Sequence, residues 1–425
     1  MLGTVASRFE QHKRPRLSLI AIATSWLLVG GNFLSSLGLA APATALIFLA
    51  ASLALPCALV LGPGRSHCNL EPLNTRRARI PSPLWAFALW VTLSAICQQT
   101  ETAAQNALVY LSFVALLALT AAWTSESSPR LLLRWMRMAA VVGAVGYLAT
   151  VVVRGPGSSG FYASRTYGEI VWIGMAVAVA LAVRSRAGYV VPLLLLTASL
   201  LSLSRTASVA CALQFIALAA KGRGRREVLK VISFGAVTGY AVFLVFTQFQ
   251  PLRNRFIDND HEQIGGVVTG TSGRSRLWAI MWDSIRDSPW LGHGIGSAQQ
   301  TIVDALGPNS VAHPLNDYLR IWHDLGFVGL LLWVLTILIL GRGAFHRWRT
   351  ARNDADCAAH QAALLSLVGL SINTFTSNSL VYIFVLAPVA VINGTSMGRA
   401  NAEDSRPAVV LTSGKSVVPE LKTTH

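Results

Sequence analysis

Arginines and histidines gather in a single stretch of this chain. Between residues 249 and 324 lie Arg253, Arg255, Arg274, Arg276, Arg286 and Arg320, with His313 near the end. Guanidinium groups stay charged beside lipid and grip phosphate or carboxylate oxygens in pairs, so this set points to an anion. An imidazole, with an ordinary pKa near 6.5, can take a proton from a hydroxyl at neutral pH. Arg205 stands apart, in the polar break Ser202, Ser204, Arg205, Thr206 between two apolar runs. A charge there is costly unless it serves a function. Arg274 and Arg276 fall in the first turn of an expected helix, whose free N–H groups also favour an anion.

The elements that must position these residues follow from composition. Of 425 residues, 53% are hydrophobic and 13% charged, and mean hydropathy is +0.51. Soluble proteins carry roughly 25% charged residues, so here lipid is the solvent. Roughly 20 apolar residues cross a bilayer as helix. Spans are expected near 17–34, 38–61, 82–98, 106–123, 138–153, 168–183, 188–204, 206–220, 231–248, 325–341, 361–376 and 379–395. The fold class is therefore all-α: a polytopic integral membrane bundle of about twelve helices.

Every second connection is basic: Arg8 to Arg16, Arg65 to Arg79, Arg130 to Arg137, Arg184 and Arg186, Lys221 to Lys230, and Arg342 to Arg352. Short cytoplasmic loops collect Lys and Arg, so both termini are expected inside. This explains most of the +16 charge without nucleic acid. The first apolar stretch lacks a small-residue cleavage site and reads as an anchor. Cys57, Cys68, Cys97, Cys211 and Cys357 show no disulfide or metal spacing.

The alternation puts the long loop 249–324 on the outer face, where the positive-inside rule does not account for its arginines. Within it, Thr271 and Ser272 are expected helix caps. Leu277, Ile280, Met281, Ser284 and Ile285 draw one stripe of an amphipathic helix that Pro289 ends. Pro314 suits a first helical turn, which would put His313 at a helix start. The run Gly292–Gly296, G-H-G-I-G, follows a helix rather than a strand, so it is not read as a nucleotide loop. The spans are almost free of charge, Glu169 being the partial exception, whereas transporters more often carry charges deep in their spans.

Three segments together resemble the bacterial O-antigen ligase and O-antigen (exopolysaccharide) polymerase family. Ser202–Ala207, S-L-S-R-T-A, is similar to the family's Ser-Arg at the outer end of a span. Gly273–Gly296, G-R-S-R-L-W-A-I-M-W-D-S-I-R-D-S-P-W-L-G-H-G-I-G, resembles its Arg, Trp, then Pro-x-x-Gly-x-Gly-x-Gly pattern. His313–Gly329, H-P-L-N-D-Y-L-R-I-W-H-D-L-G-F-V-G, resembles its His-Asn, aromatic-Leu, then Gly-x-x-Gly pattern. The likeness covers roughly residues 160–380. In one departure, Leu315 rather than His directly precedes Asn316. Either His313 acts from one helical turn away, or His293 is the base in reserve.

The resemblance implies a glycosyltransferase in the bacterial inner membrane, with its active site facing the periplasm. The donor would be an oligosaccharide on undecaprenyl pyrophosphate and the acceptor a glycan hydroxyl. Transfer would invert the anomeric carbon with no metal or other cofactor. His313 would be the base. Arg205 and Arg274 would stabilise the leaving pyrophosphate, with Arg165 and Arg276 completing the clamp and Asn316 and Asp317 binding substrate. Residues 1–400 would form the transferase domain, including loop 249–324, and 401–425 a disordered cytoplasmic tail. Partners would be the bilayer, the lipid-linked donor, the acceptor glycan and other polysaccharide assembly proteins. A surface polysaccharide polymerase leads, a ligase acting on lipid A-core comes second, and a transporter of polysaccharide or lipid-linked substrate is the rival class.

Overall fold

A computed structural model of the chain describes residues 22–25, 28–29, 80–124, 128–159, 163–182, 188–219, 225–248, 250, 263–264, 267–268, 274–307 and 313–404. Numbered from Ser82, the helices are α1 (Ser82–Gln98), α2 (Glu101–Trp123), α3 (Ser128–Arg154), α4 (Ser164–Ala182), α5 (Val190–Leu201) and α6 (Arg205–Ile216). They continue as α7 (Arg225–Gln248), α8 (Arg274–Asp287), α9 (Ser297–Leu306), α10 (Asp317–Thr350), α11 (Asp354–Thr374) and α12 (Ile383–Asp404). A two-residue antiparallel pairing, Gln263–Ile264 with Val267–Val268, is the only β structure among the described residues.

Among the described residues, five helices, α2, α3, α4, α10 and α11, are long and apolar enough to cross a membrane, and there are several shorter apolar helices. Ten of the expected spans fall on described helices. The span 17–34 is described only at 22–25 and 28–29, which are helical, and 38–61 lies outside the described residues. The break at 202–206 separates α5 from α6: Leu203 takes φ 54° and ends the helical run. α12 runs to Asp404, so the expected tail boundary at 401 falls inside a helix.

α4 is the centre of the bundle. It is buried from Tyr167 to Ala180 and packs on α3, α5, α6 and α11. α12 lies along α2, and Gly394 and Gly398 make that approach close. A Cβ at either would strike the α2 backbone at Leu117 or Ala121. Without a hydrophobic drive in lipid, small residues four apart let two helices pack by direct contact.

Two expectations at the start of α10 need correction. His313 does not open a helix, because the helix begins at Asp317 with Asn316 as its cap. The Asn316 side-chain oxygen accepts from Tyr318 and Leu319 N–H at 3.0 and 3.1 Å. Leu315, at φ 53°, breaks the path between His313 and that cap, so "one helical turn" does not describe their separation. The span predicted to open at Leu325 instead continues an outer segment across a kink at Gly326 (φ 69°, ψ −177°).

The Pro289–Gly294 run splices this kink. Pro289 O accepts from Phe327 N–H at 2.9 Å, while His293 and Gly294 N–H donate to His323 O and Asp324 O at 2.8 and 2.9 Å. Backbone groups freed by the kink are thus satisfied from outside the helix. A Cβ on Gly292 or Gly326 would collide with the opposing backbone. This explains the glycines in the G-H-G-I-G run: they allow close packing rather than cradle a ligand.

At the opposite end of the bundle, buried Asp356 of α11 pairs with buried Arg399 of α12 through both carboxylate oxygens, one at 2.7 Å. Removing one partner of a buried pair leaves a charge without its counter-ion, at a cost of about 3–5 kcal/mol. Asp356→Ala is therefore expected to lower the detergent unfolding temperature and the folded yield sharply. An unchanged melting curve would count against this pair as a staple.

Candidate functional site

The connections at 99–100, 155–159, 202–204, 288–296, 313–316 and 375–382 meet at one end of the bundle. Gly157 N–H donates to Leu201 O at 2.9 Å. Ser204 lies against Gly168, and Thr206 and Thr376 share a hydroxyl hydrogen bond. Trp278 Nε1 donates to Pro314 O at 2.9 Å, and Leu315 N–H donates to the Asn378 side-chain oxygen at 3.1 Å. Helices α4, α6, α8 and α10 begin here, bringing their positive N-terminal ends toward one region.

Arg165, Arg205 and Arg274 stand in the first turns of α4, α6 and α8. Arg165 and Arg205 are exposed and Arg274 is half-buried. Burial first, then the charges of Arg165 and Arg205, hold the Arg274 pKa below the ordinary arginine value, and Glu169 opposes them. Among the described residues, the buried Arg274 Nε has no hydrogen-bond partner. A buried guanidinium nitrogen left without an acceptor is costly. It fits an anion better than an apolar neighbour.

Successive odd or even positions on a helix face nearly opposite sides. Arg276 is accordingly exposed, whereas Arg274 turns inward. Arg276 is therefore not among the charges acting on Arg274. The α8 stripe forms as expected: Leu277, Met281 and Ile285 are buried, and Leu277 and Met281 cluster with Ala298 and Ile302 of α9. The predicted caps Thr271 and Ser272 lie outside the described residues.

His313 is half-buried in the 313–316 segment. Burial above all, then Arg320, pushes its pKa down to about 4, with Asp324 opposing. The imidazole is therefore neutral throughout the usual working range. Leu315 packs its side chain toward the α8–α9 cluster, so the position just before Asn316 serves packing here.

Asn316 spends its side-chain oxygen on the helix cap. Asp317 is fully buried, 3.0 Å from Arg320 Nη2, and accepts Leu380 N–H at 2.8 Å. Arg320 also donates to the Tyr110 hydroxyl of α2 at 2.9 Å. The structure thus gives Asn316 and Asp317 the work of holding α10 in place. His293 is likewise engaged: its ring stacks on His323 at 4.7 Å, and its Nε2 lies 2.7 Å from Ser284 O. His323 and Asp324 tie α8 and α9 to α10, Asp324 receiving Gly296 and Ala298 N–H at 2.9 and 2.8 Å.

Sequence reasoning missed the turn 377–379. Ser377 and Ser379 hydroxyls donate to the two oxygens of buried Glu169, the latter at 2.6 Å, while Asn378 between them holds Leu315. The available signal was Glu169 itself, an acid in an otherwise uncharged span.

Such a fold and site define a multi-helix membrane protein with three arginines at helix starts at one end of its bundle. Residues 190–334 match the family model described as O-antigen ligase, and over that segment the resemblance read from the residues holds. No curated protein matches the chain. The matched segment includes Arg205, Arg274 and His313 but not Arg165, Glu169 or the turn 377–379.

Proposed function

We propose that this chain is a membrane glycosyltransferase of polysaccharide assembly. It moves a sugar chain from undecaprenyl pyrophosphate to an acceptor hydroxyl at the periplasmic face of the inner membrane. The observation that carries this reading is the meeting of Arg165, Arg205 and Arg274 at the starts of three helices, with Arg274 Nε buried and unpartnered. Pyrophosphate leaves as the bond from the anomeric carbon to oxygen breaks, and its oxygens take up negative charge. Preorganised guanidinium groups and helix N-termini stabilise charge that develops in this way. The acceptor oxygen attacks the opposite face of the anomeric carbon, inverting it, and its proton passes to neutral His313. His313 is a weak base, which suits a proton that leaves late, once the hydroxyl oxygen has become acidic by bonding to carbon.

Within this reaction we favour a polymerase, with a lipid-linked repeat unit as acceptor. A ligase acting on lipid A-core is the second reading, supported by the description of the matched family. Purified protein given lipid-pyrophosphate repeat units should produce a ladder of lipid-linked oligomers if it is a polymerase. A single transfer that needs lipid A-core would mark a ligase. Because arginines supply the positive charge, either activity should persist in EDTA. A reporter active only in the periplasm should work when fused within 258–268 and be silent within 345–352. Absence of both products, or the reverse reporter pattern, sinks the proposal.

A further inference from the structure

His313 lies outside any helix, so its place depends on what grips the chain beside it. It is joined to Leu315 through Pro314, whose ring fixes φ. The peptide group between Pro314 and Leu315 is held at both poles. Its carbonyl accepts Trp278 Nε1–H at 2.9 Å, and its N–H donates to the Asn378 side-chain oxygen at 3.1 Å. Leu315 sits at φ 53°, a conformation that a residue with a side chain keeps only when its surroundings impose it. Both grips come from elements tied to the arginines. Trp278 lies one turn after Arg274 on α8. Asn378 is buried in the turn 376–380, which is itself fastened. Ser377 and Ser379 hydroxyls donate to the two oxygens of Glu169, one turn after Arg165 on α4. Leu380 N–H donates to Asp317 at 2.8 Å, and Thr376 shares a hydroxyl hydrogen bond with Thr206, next to Arg205. Glu169 can meet both serines in either protonation form, so this anchorage needs no charge.

We propose that Trp278 and Asn378 are positioning residues: they grip one peptide group and so set where the His313 ring stands relative to the helix starts that carry Arg165, Arg205 and Arg274. Glu169 anchors the turn that presents Asn378. This rests on reading His313 as the base. A base works only within hydrogen-bond reach of the proton it takes, and a misplacement of about 1 Å costs on the order of 10²-fold in rate. The two grips restrain the segment from α8 on one side and from α4 and α6, through the turn, on the other.

The test assays full-length protein in nanodiscs with lipid-linked donor. Trp278→Phe keeps an aromatic ring but loses the N–H, and Asn378→Ala loses the acceptor. Each should lower kcat about 10²-fold while KM for the donor stays within about threefold of wild type, because the arginines are untouched. Glu169→Ala should follow them. Glu169→Gln, which still has a donor and an acceptor for the two serines, should hold kcat within about threefold of wild type. In a His313→Ala background none of these changes should cost anything further, because the group they place is gone. A merely structural defect would add its own loss to that background. If Asn378→Ala fails to fold, Trp278→Phe decides. If His313→Ala is inactive while Trp278→Phe keeps wild-type kcat, or if its loss adds to that of His313→Ala, positioning is overturned and the base reading stands. If His313→Ala is fully active, both fall.

Discussion

Arg274→Ala should abolish transfer while the protein remains folded in the membrane. Arg274 is the inward-facing arginine of α8, its Nε is buried without a partner, and Arg165 and Arg205 bear on its charge. Loss of one preorganised donor to a developing anion typically costs about 10²–10³-fold in rate. The Arg205→Ala variant should fall by a similar factor, and Arg276→Ala should be near wild type because Arg276, unlike Arg205, is not among the charges that act on Arg274. Lysine at 274 should restore only part of the activity, since a point charge does not reproduce a two-pronged contact. Initial rates on lipid-linked donor, with detergent melting curves as the folding control, decide the matter. Full activity in Arg274→Ala would remove anion recognition from this site.

His313→Ala should lose about 10²–10⁴-fold in transfer, the usual weight of a positioned base, while pyrophosphate binding is retained. The pH profile carries a second prediction. Burial and Arg320 hold the His313 pKa at about 4, so the imidazole is neutral above that value and protonated below it. Activity should rise with pH through about 4 and show no His313-dependent step near 6.5. The same displacement affects folding. The unfolded chain binds a proton at His313 near pH 6.5 and the folded chain does not, so stability should fall as pH drops from about 6.5 toward 4. A step near 6.5 that vanishes in His313→Ala would show the ring to be solvated rather than buried. The exchange His313→Leu with Leu315→His should stay inactive, because position 315 packs toward α8 and α9 and its N–H is held by Asn378.

The bundle itself was legible in the residues. Long apolar runs leave backbone groups no choice but helix, so spans, breaks and the amphipathic stripe of α8 could be read from hydropathy and period alone. The polar break before Arg205 was readable in the same way, as a polar interruption between two apolar runs.

What only the tertiary structure decided was which of the polar residues work together. Arg274 and Arg276 are two residues apart in sequence, yet one turns into the bundle and the other away from it. Asn316 and Asp317 resemble substrate ligands by motif, but one caps α10 and the other is buried against Arg320. The G-H-G-I-G run resembles a binding loop, but its glycines admit the backbone that splices the Gly326 kink. Glu169 and Ser379 lie 210 positions apart, so no local pattern could pair them. Period and hydropathy report on neighbours within a few residues, while the site is assembled from helix ends that meet only when the bundle packs.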